Sequence, residues 1–155
     1  MDSTYSQVYI HIIFAVKGID SLICKSWEIE LYKYVSGLLK NKKQKVLSIN
    51  GMPDHIHIVI GLSVDCCLSD LVREIKKSSN KFINENLLSV GHFQWQSGYG
   101  AFSSSRSRLS RLLSNIQHDK IKHQKISFKE EYLEFLKEFN IEYNEKYLFE
   151  WIEEE

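Results

Sequence analysis

Two histidines one residue apart, in Asp54-His55-Ile56-His57-Ile58, are the residues of this chain best placed to do chemistry. Side chains alternate along a strand, so His55 and His57 point to one face while Ile56, Ile58 and Ile60 point to the other. Two neutral imidazoles converging on one spot can hold a divalent ion. Each needs its second ring nitrogen fixed by an acceptor, for which Asp54 or a backbone carbonyl is at hand. A third ligand must come from elsewhere, and the basic segment further along offers Asp119 and His118. A His-x-His pair on a strand also arises for purely structural reasons, so the pattern alone leaves both readings open. His11 shares strand parity with Tyr9 and Ile13, which leaves two readings: a histidine bordering the pair, or a structural, hydrogen-bonded histidine, the favoured of the two.

The elements that must position these residues follow from hydrophobic period and turn chemistry. Tyr5–Val16 is rich in β-branched and aromatic residues and reads as a strand ended by Gly18. Trp27, Leu31, Tyr34, Val35, Leu38 and Leu39 recur at helical spacing, with Ser26 as N-cap and Glu28 and Glu30 in the favourable first turn. Lys45–Asn50 and Asp54–Leu62 are apolar runs joined through Gly51-Met-Pro53, a hairpin. A second helix is expected over Ser69–Asn84, capped by Ser69 or Asp70 and basic on its exposed face. Phe93–Trp95 and Tyr99–Phe102 read as a fourth strand or an irregular strand pair. A helix over Arg106–Lys125 and another from Phe128 to Phe139 follow. The order β-α-β-β-α-β-α predicts an α+β sandwich of ferredoxin-like type, with a C-terminal helix on the face carrying the histidines.

At 155 residues and 43% hydrophobic content the chain is expected to form a single domain over 1–155. The three cysteines, Cys24, Cys66 and Cys67, match neither a disulfide framework nor a zinc ribbon and fit a reducing cytoplasm. No apolar run approaches the roughly 18 residues needed to span a bilayer, and the start lacks a basic leader, so no membrane partner is expected. Net charge is zero but uneven. Residues 1–72 are balanced, residues 73–125 carry ten Lys/Arg against three Asp/Glu, and residues 126–155 carry three against ten. The middle third is a candidate phosphate-binding surface, and a solvated helical face balanced by an acidic tail is the alternative.

Four blocks, in order, resemble the single-tyrosine HUH transposases of bacterial insertion sequences (the IS200/IS605-like family). They are Tyr9-Ile-His-Ile-Ile-Phe-Ala-Val-Lys17; Gly51-Met-Pro-Asp-His-Ile-His57; Trp95-Gln-Ser-Gly-Tyr-Gly-Ala-Phe-Ser103; and Ser127-Phe-Lys-Glu-Glu-Tyr-Leu-Glu-Phe-Leu136 followed by Ile141–Leu148. The resemblance implies a dimer that binds hairpin or single-stranded DNA and cuts and rejoins strands through a phosphotyrosine. A magnesium or manganese ion would polarise the scissile phosphate, and no nucleotide cofactor is implied. It also places the family's tyrosine at Asn115 and its glutamine ligand at Asp119, in Asn115-Ile-Gln-His-Asp119. Asp119 is a sound ligand for a hard cation, whereas the Asn115 amide cannot be the nucleophile. The metal set is then His55, His57 and Asp119.

Three readings remain open at this point: a DNA-binding transposase without its nucleophile; an active strand-transferase or nuclease that uses Tyr99, Tyr132 or a metal-bound water; and a structural dimerisation module. Candidate DNA contacts are Arg106, Arg108 and Arg111 with Lys76, Lys77 and Lys81 for phosphates, and Trp95 and Tyr99 for base stacking, for which core packing is the competing reading. His118 and His123 are expected to face solvent. The acidic tail, Glu142–Glu155, carries interspersed aromatics and is expected to pack on its own or a partner subunit, with cover of the basic surface a further possibility.

Overall fold

Strand alternation sorts the molecule into two layers. The computed structural model describes residues 3–152, so the last three glutamates of the acidic tail lie outside it. Strands β1 (Tyr9–Ala15), β2 (Lys45–Met52), β3 (His55–Gly61) and β4 (Gly100–Ser104) form one antiparallel sheet in the order β2-β3-β1-β4. With helices α1 (Glu28–Asn41) and α2 (Leu68–Glu85) between strands, this is the expected ferredoxin-like arrangement. Even-numbered Ile12 and Phe14 of β1 and Ile56, Ile58 and Ile60 of β3 are fully buried, as are Leu31, Val35 and Leu39 of α1 and Ile75 and Ile83 of α2. That apolar layer is the core.

The other face carries the odd-numbered residues His11, His55 and His57. It is covered by α3 (Arg106–Gln117), the single-turn α4 (Asp119–Lys122) and α5 (Phe128–Glu138). Register places Ile13 and Asn50 beside His57, so the histidine pair lies mid-sheet rather than at an edge.

Several boundaries differ from the sequence reading, each for a local reason. β1 begins at Tyr9, not Tyr5, where pairing with β3 and β4 starts. Ser26 does not cap α1; the Cys24 carbonyl accepts from the amides of Trp27 and Glu28 and satisfies those donors instead. α2 likewise begins one residue early, from Cys67, without a side-chain cap. Phe93–Trp95 is not a strand, and Trp95 makes a single bridge to Val16. The helix expected over Arg106–Lys125 breaks at His118. There Asn50 donates its side-chain amide to the Ile116 carbonyl at 2.7 Å, and Lys120 reaches the Gly51 carbonyl at 3.1 Å, so the β2 end of the hairpin fixes the break.

Tail packing agrees with expectation for the described part. Phe149 and Trp151 pack on Phe128 and Tyr132, and the Gln96 side chain bonds both the amide and the carbonyl of Glu150. Among the described residues no helix is long and apolar enough to cross a membrane.

Gly51 sits where the hairpin strands approach most closely, and a Cβ there would run into the His55 backbone carbonyl. Gly51→Ala is therefore expected to lower stability by about 1–3 kcal/mol, the usual cost of overpacking, read as a reduced urea midpoint with unchanged m-value.

Candidate metal centre and its cleft

Five side chains from three elements and one turn meet on the histidine face. His55 and His57 come from β3, Asp119 opens α4, His123 follows it one turn later, and Glu131 comes from α5; one donor atom from each lies within 4.8 Å of all the others. The sequence reading had only the first three and placed His123 in solvent, whereas its side chain is 5% exposed. Glu131 was missed altogether. A signal for it exists: Phe128, Glu131, Tyr132 and Phe135 hold the i, i+3, i+4 and i+7 positions of α5's inward stripe, where an acid is out of place. His118 is exposed and turns its Nδ1 to the Ser114 carbonyl.

Each of the three central imidazoles is anchored through Nδ1. His55 Nδ1 lies 2.7 Å from Asp54 Oδ1, His57 Nδ1 lies 2.8 Å from His11 Nε2, and His123 Nδ1 lies 2.9 Å from the Ile126 carbonyl. His11 thus does border the pair, as the acceptor that orients His57. Burial, reinforced by the charge on His57, holds the His11 pKa well below its ordinary value, which keeps it neutral for that task. All three Nε2 atoms consequently turn inward. His55 Nε2 is 3.3 Å from Asp119 Oδ2, His57 Nε2 is 2.9 Å from Glu131 Oε1, and His123 Nε2 is 3.2 Å from Asp119 Oδ1 and 3.1 Å from Glu131 Oε2. Aromatic walls dry the site, with the Phe128 ring stacked on His55 at 3.9 Å and Phe135 edge-on to His11 at 5.2 Å.

Buried His55 Nε2 and Asp119 Oδ2 have no hydrogen-bond partner despite facing each other. Unpaired buried polar atoms are costly, and two of them aimed at one point inside a nitrogen and carboxylate cage fit a bound cation. The residues present therefore suit a divalent metal.

A cleft of about 190 Å³ opens beside the centre, lined by His57, Asn115, Ile116, Asp119, Lys122, Glu131, Glu134 and Glu138 among others. Asn115 and Asp119 thus share a wall even though the helix breaks between them. Arg106, Arg108 and Arg111 are exposed on α3, with Arg108 3.5 Å from Glu138. Lys77 and Lys81 are exposed on α2, which covers the opposite face of the sheet, so the six basic residues do not form one grip. Two assignments need correction. Lys76 spends its ammonium on the Gln96 and Gly98 carbonyls and lies over the Phe14 ring, and burial brings its pKa down to about 8. Trp95 is core, edge-on to Phe14 and Phe93 with its indole N–H donated to Ser79, leaving no free ring face for a base. Tyr99, in the loop before β4, is 36% exposed.

The metal-free cage has a definite pH signature. Burial alone would lower the pKa of His57 and of His123, but their close contacts with the Asp119 and Glu131 carboxylates outweigh it and raise them to about 9 and about 10. Burial would conversely raise both carboxyls, and the same imidazoles hold them well below the usual carboxylate range. Raised histidines stabilise fully below their unfolded value near 6.5, and that contribution is lost as pH climbs through 9 to 10; the depressed acids act at the other end, losing theirs on acidification below about 4. Chelator-treated protein is expected to melt highest near pH 5–6.5 and lower progressively toward pH 10, with the alkaline slope reduced in His123→Gln.

Comparison with known proteins agrees with the geometry. Two solved structures share the fold: a candidate transposase from Deinococcus radiodurans R1, at 16% identity and TM-score 0.61 over 76% of this chain and 95% of that one, and a REP-associated tyrosine transposase bound to a REP hairpin, at 16% identity and TM-score 0.60 over 81% and 74%. No curated protein sequence matches the chain. The family model for IS200-like transposases matches residues 4–119, which reach from β1 through the Asp119 that opens α4, and the chain belongs to that family.

Proposed function

We propose that this chain acts in DNA transposition as a hairpin- or single-stranded-DNA-binding member of its family that does not form the tyrosyl intermediate. One observation carries this reading: Asn115 stands in the cleft wall beside His57 and Asp119, where the resemblance places the nucleophile. An asparagine amide can donate a hydrogen bond to a phosphate oxygen but offers no hydroxyl for covalent attack. Neither alternative tyrosine is well placed. The Tyr132 hydroxyl abuts Gly100 of β4, within a cluster of Phe102, Phe128 and Phe149, and the loop carrying Tyr99 is tied to α2 through Lys76.

The roles of the chain's own residues follow. Arg106, Arg108 and Arg111 are exposed on α3, with Arg108 and Arg111 one turn apart on one face, and hold the DNA backbone; Tyr99 offers a ring for an unpaired base. His55, His57 and Asp119 hold the divalent ion, magnesium or manganese by the resemblance, which supplies Lewis-acid polarisation of a phosphate when bound. The chain works as one domain in a homodimer, in the reducing cytoplasm that its three free cysteines suit.

Labelled hairpins incubated with protein and manganese, analysed on native and denaturing gels side by side, test the reading. The parent is expected to shift hairpins without a covalent adduct, Asn115→Tyr to gain an adduct, and His57→Ala in that background to lose it. Replacing Arg106 and Arg111 by alanine is expected to weaken binding and to reduce the slope of log affinity against log salt by roughly 0.7–0.9 per arginine. A covalent adduct from the parent would overturn the proposal.

A further inference from the structure

We propose that His123 and Glu131 are metal ligands in their own right, completing a centre with five protein donors that takes a transition dication of the zinc class and clamps α4 and α5 onto the sheet. The inference deepens the reading of the same site and rests only on a divalent ion binding there, not on DNA binding; it extends the three-ligand set and replaces magnesium or manganese as the preferred ion.

Three observations carry it. The first is orientation. His123 is held as His55 and His57 are, with Nδ1 against the Ile126 carbonyl and Nε2 turned inward to the same point. Fixing the outer nitrogen by an acceptor is the usual way a ligating imidazole is oriented. The second is spacing. Inward imidazole and carboxylate atoms stand 2.9–3.5 Å apart and all five donors lie within 4.8 Å of one another, while bonds of about 2.0–2.2 Å to a small ion give cis ligand edges of roughly 3 Å and trans ones of roughly 4 Å. The third is the donor set. Three imidazoles and two carboxylates are borderline ligands that suit zinc, cobalt, nickel or iron, whereas magnesium prefers oxygen donors and keeps several of its waters. Charge is balanced as well: two carboxylates neutralise a dication, and Lys122, 3.1 Å from Glu131 Oε2, is the adjoining cation.

The consequence is a change in what the ion does. Five protein donors leave at most one of six positions for a phosphate oxygen, so the ion contributes first to architecture. It joins β3, the α4 turn and α5, which are otherwise held together through charged groups buried at a desolvation cost. A chain without its tyrosine retains a use for such a centre, because it fixes the α4 and α5 walls of the cleft.

Metal-stripped full-length protein, dialysed against zinc, cobalt, manganese or magnesium and assayed for bound metal by mass spectrometry, provides the test. One equivalent of zinc or cobalt is expected, held at least a hundredfold more tightly than magnesium, with a rise in melting temperature. Cobalt-loaded parent should show the visible absorption of a four- or five-coordinate ion, a readout that needs no variant to fold. Glu131→Gln and His123→Gln, checked for fold by circular dichroism, are each expected to weaken zinc binding tenfold or more. Unchanged zinc affinity in both variants, the faint spectrum of a six-coordinate hydrated ion, a preference for magnesium, or no stoichiometric metal would each overturn the clamp. Hairpin shifts measured on the same samples separate the two proposals: hairpin binding by a protein that takes up no zinc discards the clamp alone, and zinc binding without hairpin shifts discards only the DNA reading.

Discussion

Two carboxylates, Asp119 and Glu131, are almost wholly withdrawn from water, and the structure around them is arranged to make that tolerable. An unpaired buried carboxylate costs several kcal/mol. Here each faces inward imidazoles, and the imidazoles cannot swing away because Asp54, His11 and Ile126 hold their outer nitrogens. The aromatic lid of Phe128 and Phe135 keeps the local dielectric low, which strengthens these attractions and would equally punish any gap among them. The cage is therefore an all-or-none unit. Removing one partner exposes the others' desolvation cost, so the position of α5 relative to β3 is set by chemistry rather than by apolar contact alone.

Sheet geometry makes the cage possible. Period-two alternation gives β1 and β3 an apolar face for α1 and α2 and a histidine face for α3 to α5, and the antiparallel register, which sets His11 of β1 opposite Val59, makes it the diagonal same-face neighbour of His57 on β3. A one-residue slip of β3 would exchange the two faces. The isoleucines at 56, 58 and 60 prevent that slip by demanding the core, so the residues that do no chemistry determine where the chemical ones point.

Much of this is legible in the sequence alone. The strands and first two helices follow from local periodicity, and the family from four sequence blocks. What escaped was non-local. The break at His118 is imposed by Asn50 of β2, which donates to the Ile116 carbonyl and accepts from Lys120 some seventy residues away in sequence, and no helical propensity reports that. Trp95 and Lys76 looked available because their partners, Ser79 and the carbonyls of Gln96 and Gly98, are chosen by the fold. Glu131 sits in a run of acids that resembles a solvated face, and only its place in the apolar stripe distinguishes it from Glu130.

The separation of charge along the sequence also means something different in three dimensions. α5 brings its acids against the basic helix: Glu138 lies by Arg108, Glu131 by Lys122, and Glu134 and Glu138 line the cleft. The exposed Arg108 pair is worth little and yields readily to a phosphate. The cleft itself is another matter, since without an ion the carboxylates of Asp119, Glu131, Glu134 and Glu138 face an incoming phosphate with Lys122 and the protonated histidines as the nearby counterweight. A dication shifts that balance by two charges in a space walled by phenylalanine, where charge counts most. On the proposed reading, arginines outside and a metal inside are complementary: α3 would attract the backbone at long range, and the ion would make the acidic interior acceptable to it at short range.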